Sequence, residues 1–173
     1  MIEQQIADMM RKLDSLDERS RMKLISEVDQ QRSELLGALL KQLGTSPSPN
    51  VKAAAIYMIG RHRLVEGVRD LLARIDFEPP RPPGRAGAEP LWEKYPAMEA
   101  LITIGRPSIA PVIDMLASDE NPLRRDLGVK VIRYAEDAGV ARFLLDRSLA
   151  SERDRVRQSR LHDALERLAK LPQ

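Results

Sequence analysis

Two tripeptides, Ile59-Gly60-Arg61 and Ile104-Gly105-Arg106, each close a short apolar segment and are followed by a second one. Around the first lie residues 54–59 and 64–72, and around the second residues 101–104 and 109–116; a looser version spans residues 127–149. The apolar positions recur at helical spacing, and glycine interrupts a helix. A helical hairpin of this kind has an apolar face that it cannot bury alone, so repetition of the hairpin makes the chain a stack of helical pairs. The two tripeptides are 45 residues apart, or 32 once the proline-rich stretch between them is set aside. Val51-Lys52, Leu123-Arg124 and Val156-Arg157 each follow a loop and open a helix in the same apolar-basic way, the last two 33 residues apart. A period of about 30 residues with one insertion accounts for all of these spacings.

Taken in order, Ile2, Ile6, Met9, Met10 and Leu13 mark an amphipathic first helix. Asp17 caps a second through Met22, Ile25 and Val28, and the polar run at residues 29–33 is read as a break with Ser33 as the next N-cap. Leu35, Leu36, Leu39, Leu40 and Leu43 line a third helix that Gly44 ends, and Pro47 and Pro49 lie in a loop. Asn50 is the expected cap of a helix over residues 51–60, whose run of three alanines permits close packing. Its partner is expected to finish near Phe77. Residues 78–90 then contain five prolines in thirteen positions, which forbids helix and strand alike and makes this an inserted loop. Leu91 and Trp92 restart the helix with Pro96 in or near its first turns, and Pro111 is tolerated early in the next. Asn121-Pro122 opens a pair that turns at residues 137–139, and a final charged helix runs over about residues 152–171.

Aromatic residues are only 3% of the chain, so the core must be aliphatic. With no cysteine, disulfides, thiolate zinc sites and a cysteine nucleophile are excluded together. No window approaches the run of about eighteen apolar residues that a membrane span needs, and the N-terminus, with Glu3 and Asp8, does not read as a secretory signal. The expectation is a soluble, cytoplasmic protein without a membrane partner. Net charge is +2, but residues 121–173 hold twelve Lys or Arg against eight Asp or Glu.

Pro49-Asn50-Val51-Lys52-Ala53-Ala54-Ala55, Ile59-Gly60 and Asp119-Glu120-Asn121-Pro122-Leu123-Arg124-Arg125 resemble the loop and first-helix pattern of HEAT repeats, above all the short bacterial HEAT-like type. The resemblance covers about residues 35–168. It implies an all-α fold, a right-handed alpha-alpha superhelix whose second helices line a concave, macromolecule-binding face. The element reading gives about nine to ten helices in a single domain over residues 1–173. Di-iron hydroxylases of HEAT type resemble one another in His-Glu dipeptides, whereas His62 and His162 here precede Arg63 and Asp163. HEAT-like DNA glycosylases use an aromatic, acidic cleft on a basic face, and this chain has one Trp.

His62 reads as a solvated turn residue, and His162 and Asp163, adjacent on a helix, point apart. No glycine-rich phosphate loop appears, and no serine has a histidine partner in view. No catalytic residue, cofactor or metal site is therefore assigned. Trp92 and Tyr95, beside the proline-rich loop, are the candidate partner-binding residues because aromatics concentrate interface energy; Arg81 and Arg85 on the loop can reach an acidic partner. The bland alternative has Trp92 filling a groove left by the insertion. Pro79-Pro80-Arg81-Pro82-Pro83 also resembles a polyproline ligand. Arg153, Arg155, Arg157, Arg160, Arg167 and Lys170 on the final helix raise a nucleic-acid alternative, opposed by the interleaved Glu152, Asp154, Asp163 and Glu166. The expected function is a non-enzymatic protein-binding scaffold, with weak, sequence-independent nucleic-acid binding as the alternative.

Overall fold

In the computed structural model, residues 18–80 and 90–171 are described, and they contain helices and no strand. The expected first helix and the Asp17 cap lie outside these residues. The chain divides into two units, Met1–Ala38 and Leu39–Gln173, where the sequence suggests one continuous body. Helix α1 (Glu18–Thr45) runs across the boundary.

The break expected at Ser33 does not occur: α1 is one 28-residue helix. No Gly or Pro interrupts the polar run, and Gln30 donates to Glu34 Oε1 at 3.0 Å across one helical turn. Gly44 is likewise inside the helix, which ends one residue later with the Thr45 hydroxyl donating to the Lys41 carbonyl. The next cap is Ser48, not Asn50. Pro49 occupies the first helical position, where its missing N–H costs nothing, so the capping side chain falls one residue before it.

In the second unit, α2 (Pro49–Arg61) packs along α5 (Pro96–Ile104). Gly60 lies within α2 and sets the approach: a Cβ built on it would stand 2.7 Å from the Ala100 Cα. Ile56, Ile59 and Leu101 are fully buried there. After a turn at Arg63, which has a positive φ of 48°, a 3-10 turn (Val65–Gly67) leads into α3 (Val68–Leu72). This helix stops five residues short of Phe77. Beyond it, Arg74 N–H and Ile75 N–H bond three residues back, and Arg124 donates to the Leu72 and Ala73 carbonyls at 2.9 and 3.3 Å. A cation from a distant helix thus serves carbonyls that the helix end leaves open.

Leu91 and Trp92 restart a helix, but α4 (Leu91–Lys94) is a single turn. Pro96 disfavours helical backbone at the residue before it, and Tyr95 sits at φ −124°, ψ 75° between α4 and α5. Gly105, at φ 79° and ψ −140°, then bends the chain by 114° into a 3-10 turn (Arg106–Ser108) and α6 (Ile109–Ser118). The buried Ser108 hydroxyl lies 2.7 Å from the Gly105 carbonyl oxygen and 3.0 Å from that of Leu101, closing the bend. Pro111 is third in α6, early enough that no hydrogen bond is lost.

Helices α7 (Pro122–Ala135), α8 (Ala138–Ser151) and α9 (Arg155–Lys170) complete the chain. The segments on either side of Gly105, and α7 with α8, were expected to be the packed hairpins. Packing instead concentrates across the other connections, with α6 along α7 and α8 along α9, while α2 with α5, α5 with α7 and α7 with α9 lie against one another and α9 also packs on α6.

The loops joining those packed pairs are chemically equivalent and offset by 33 residues. Asn121 and Asp154 are the N-caps; each side chain accepts two backbone N–H groups of the helix it opens. Two residues before each cap stands a carboxylate bound by an arginine three residues after the cap: Arg124 Nε to Asp119 Oδ2 at 2.6 Å, and Arg157 Nε to Glu152 Oε2 at 2.7 Å. Each arginine also reaches a preceding helix. Arg124 pairs with Asp76 at 2.8 Å, and Arg157 with Asp114 at 2.7 Å. Ser46 and Ser48 repeat the first two places of the motif, Ser46 accepting the Ser48 N–H and Ser48 that of Val51, with Val51 where the arginine would be.

Candidate interaction surface

Arg81 and Arg85 lie outside the described residues, as does the Trp92 side chain, although the Trp92 backbone is in α4. Tyr95, expected at a contact surface, is only 4% exposed. The extended backbone that Pro96 imposes turns its ring inward, and burial pushes the phenol pKa up. What remains outside is Lys94, whose ammonium stands 5.2 Å from the Tyr95 ring centre and 3.5 Å from Glu78 Oε1.

The arginines of α9 are largely engaged by the protein's own groups. Arg157 bridges Glu152 and Asp114; Arg160 donates to the Ser118 carbonyl at 2.6 Å and to Glu120 at 3.0 Å. Arg167 pairs with Asp163 at 2.9 Å, the partnership its four-residue spacing suggests, and Arg125 reaches the same carboxylate at 3.2 Å. Arg153 and Arg155 are exposed. Glu152 shows how firm the Arg157 clasp is: that hydrogen bond, joined by the N–H groups of Asp154 and Arg153, holds its carboxyl at about 2. Burial pushes the Asp119 carboxyl up, but the hydrogen bonds from Arg124 and Asn121 outweigh it and the net shift is downward.

His62 is the exposed cap of α2, and the His162 ring lies 3.5 Å from Glu166 on one exposed face of α9. Among the described residues, no group of three or more His, Cys, Asp or Glu side chains is placed to hold a metal ion. No single helix among them is long and apolar enough to cross a membrane.

The surface the sequence reading missed is centred on α5. Tyr57 on α2 and Tyr134 on α7 are 57% and 52% exposed, and they stand on the two helices that flank it. Between α2 and α5 is a groove of 340 Å³ lined by Tyr57, Arg61, Arg63, Glu99 and Thr103. A second, of 330 Å³ and mostly apolar, is lined by Leu91, Met98, Glu99, Ile102 and Tyr134. Glu99 borders both, so the two form one strip. One sequence signal was available: Tyr57 follows the buried Ile56 and Tyr134 falls two after the buried Ile132, each off its helix's apolar stripe. An aromatic residue outside the stripe is either exposed or covered by something else.

No family model matches this chain, and neither a curated protein nor a solved structure does so.

Proposed function

We propose that the chain is a non-enzymatic protein-binding module built as a short stack of HEAT-like helical pairs. The side-by-side packing of α2, α5, α7 and α9, and the two equivalent loops 33 residues apart, support a repeat architecture. The observation that carries the binding role is the pairing of exposed tyrosines across α5, with Arg61 and Arg63 at one end and an apolar groove at the other. Tyrosine and arginine are enriched at protein interfaces because each offers apolar area with a polar tip. Leu91, the first residue after the proline-rich loop, lines that groove, which ties the strip to the segment carrying Trp92.

The test is a quantitative affinity purification from the native cell. Compared are the intact chain, a chain lacking residues 78–90 and a Tyr57→Ala/Tyr134→Ala double variant. A specific protein partner should be recovered by the first and lost by the double variant. Recovery of nucleic acid without protein would refute the proposal. The ion pairs on Arg157, Arg160 and Arg167 weigh against the nucleic-acid reading, which requires binding that falls steeply between low and moderate salt.

A further inference from the structure

Helices α6 and α8 both pack on α9 and leave between them a groove of 350 Å³. Its walls are Ile109, Ala110 and Ile113 from α6 and Leu144 from α8, with Arg106 and Arg147 among the lining residues. Both arginines are exposed, and among the described residues neither has an ion-pair partner. Ser148 and Ser151 complete the lining, their hydroxyls turned to the Leu144 and Ser148 carbonyls of their own helix. No carboxylate lines this groove. The strip along α5 includes Glu99, and the larger groove of 650 Å³ among α7, α8 and α9 includes Asp146 and Glu166. On the same face of α8, Phe143 is 61% and Val140 39% exposed.

We propose that the α6–α8 groove is a docking site for an acidic amphipathic helix of a protein partner. Ile109, Ile113 and Leu144, with Phe143 beside them, receive the partner's apolar stripe, and Arg106 and Arg147 pair with carboxylates on its flanks. Occupant charge follows from charge complementarity, since the groove offers two unpaired cations and no anion. An apolar stripe is needed as well, because two exposed cations alone would hold a polyanion without using the aliphatic walls. This site is separate from the strip along α5, so each can fail while the other stands.

Titration of the isotope-labelled full chain tests it, with methyl NMR as the readout. The probe is an 18-residue synthetic helix bearing leucine at i, i+3, i+4 and i+7 spacing and glutamate elsewhere; its lysine-for-glutamate counterpart and poly-glutamate are the comparisons. The acidic helix should shift the methyl signals of Ile109, Ile113 and Leu144. Its affinity should fall roughly ten-fold or more in Arg106→Glu/Arg147→Glu, a variant that should instead take the lysine helix. Arg147→Gln, a milder exposed change, should give an intermediate loss. The proposal is overturned if the acidic helix causes no shift at these methyls, if the lysine helix or poly-glutamate binds the unaltered chain as tightly, or if shifts gather around Tyr57 and Tyr134 instead.

Discussion

At Gly60 the absence of one carbon atom determines how closely two helices meet. The nearest obstacle to a Cβ is the Ala100 Cα, which is backbone and cannot rotate away, so Gly60→Ala must separate α2 from α5. A cost of about 1–3 kcal/mol is expected from such overpacking, measured as a lowered urea midpoint. The obstacle at Gly128 is different: the Met115 Cε at 2.6 Å is the far end of a flexible side chain, and Gly128→Ala should be milder. Gly105 is constrained by backbone rather than by space. With φ 79° and ψ −140° it occupies a region closed to side chains, and Gly105→Ala should cost about 1–3 kcal/mol although nothing crowds the new methyl. Both Ile-Gly-Arg tripeptides were legible in the sequence as signals, but identically so. That one glycine serves contact and the other torsion depends on what faces each, which pattern does not encode.

At the scale of the element, the loop before α9 controls more than a cap. Asp154→Ala removes the acceptor for the Val156 and Arg157 N–H groups and should lower stability by about 0.5–2 kcal/mol, read as a fall in thermal midpoint. Glu152 adds a pH dependence of definite sign. Its carboxyl is held at about 2 in the folded protein against an ordinary 4.5, so the folded state favours the charged form. The stability it contributes is complete above about pH 4.5 and is lost as pH falls from there through about 2. Urea midpoints measured from pH 7 down to 3 should therefore decline below pH 4.5, and Glu152→Gln should flatten that acid limb while lowering the midpoint at neutral pH. Asp119 acts in the same direction one repeat earlier. The 33-residue recurrence of Leu123-Arg124 and Val156-Arg157 was visible as a pattern. Its chemistry was not, because the arginines' distant partners, Asp76 and Asp114, are near only after folding.

For the whole molecule, the division at residue 38 predicts that a chain beginning at Leu39 unfolds cooperatively with its helical signal per residue retained, as circular dichroism with thermal melting would show. Loss of the transition would mean that the first unit is required for the second to fold. The sequence by itself determined that the chain is helical, where most helices lie and which faces are apolar, because these follow from local periodicity and from Gly, Pro and capping residues acting within a turn or two. It also showed the period of the repeat. Tertiary structure decided which helices pair, since an apolar stripe does not name its partner: the packed pairs proved to be α6 with α7 and α8 with α9. It decided as well which charged and aromatic residues face water. Tyr95 went into the core and the arginines of α9 turned largely to carboxylates and helix ends within the molecule, while Tyr57 and Tyr134 came to flank α5 at the surface. Side-chain exposure is set by neighbours brought from 40 or more residues away, as Arg157 and Asp114 illustrate, and no local window contains that information.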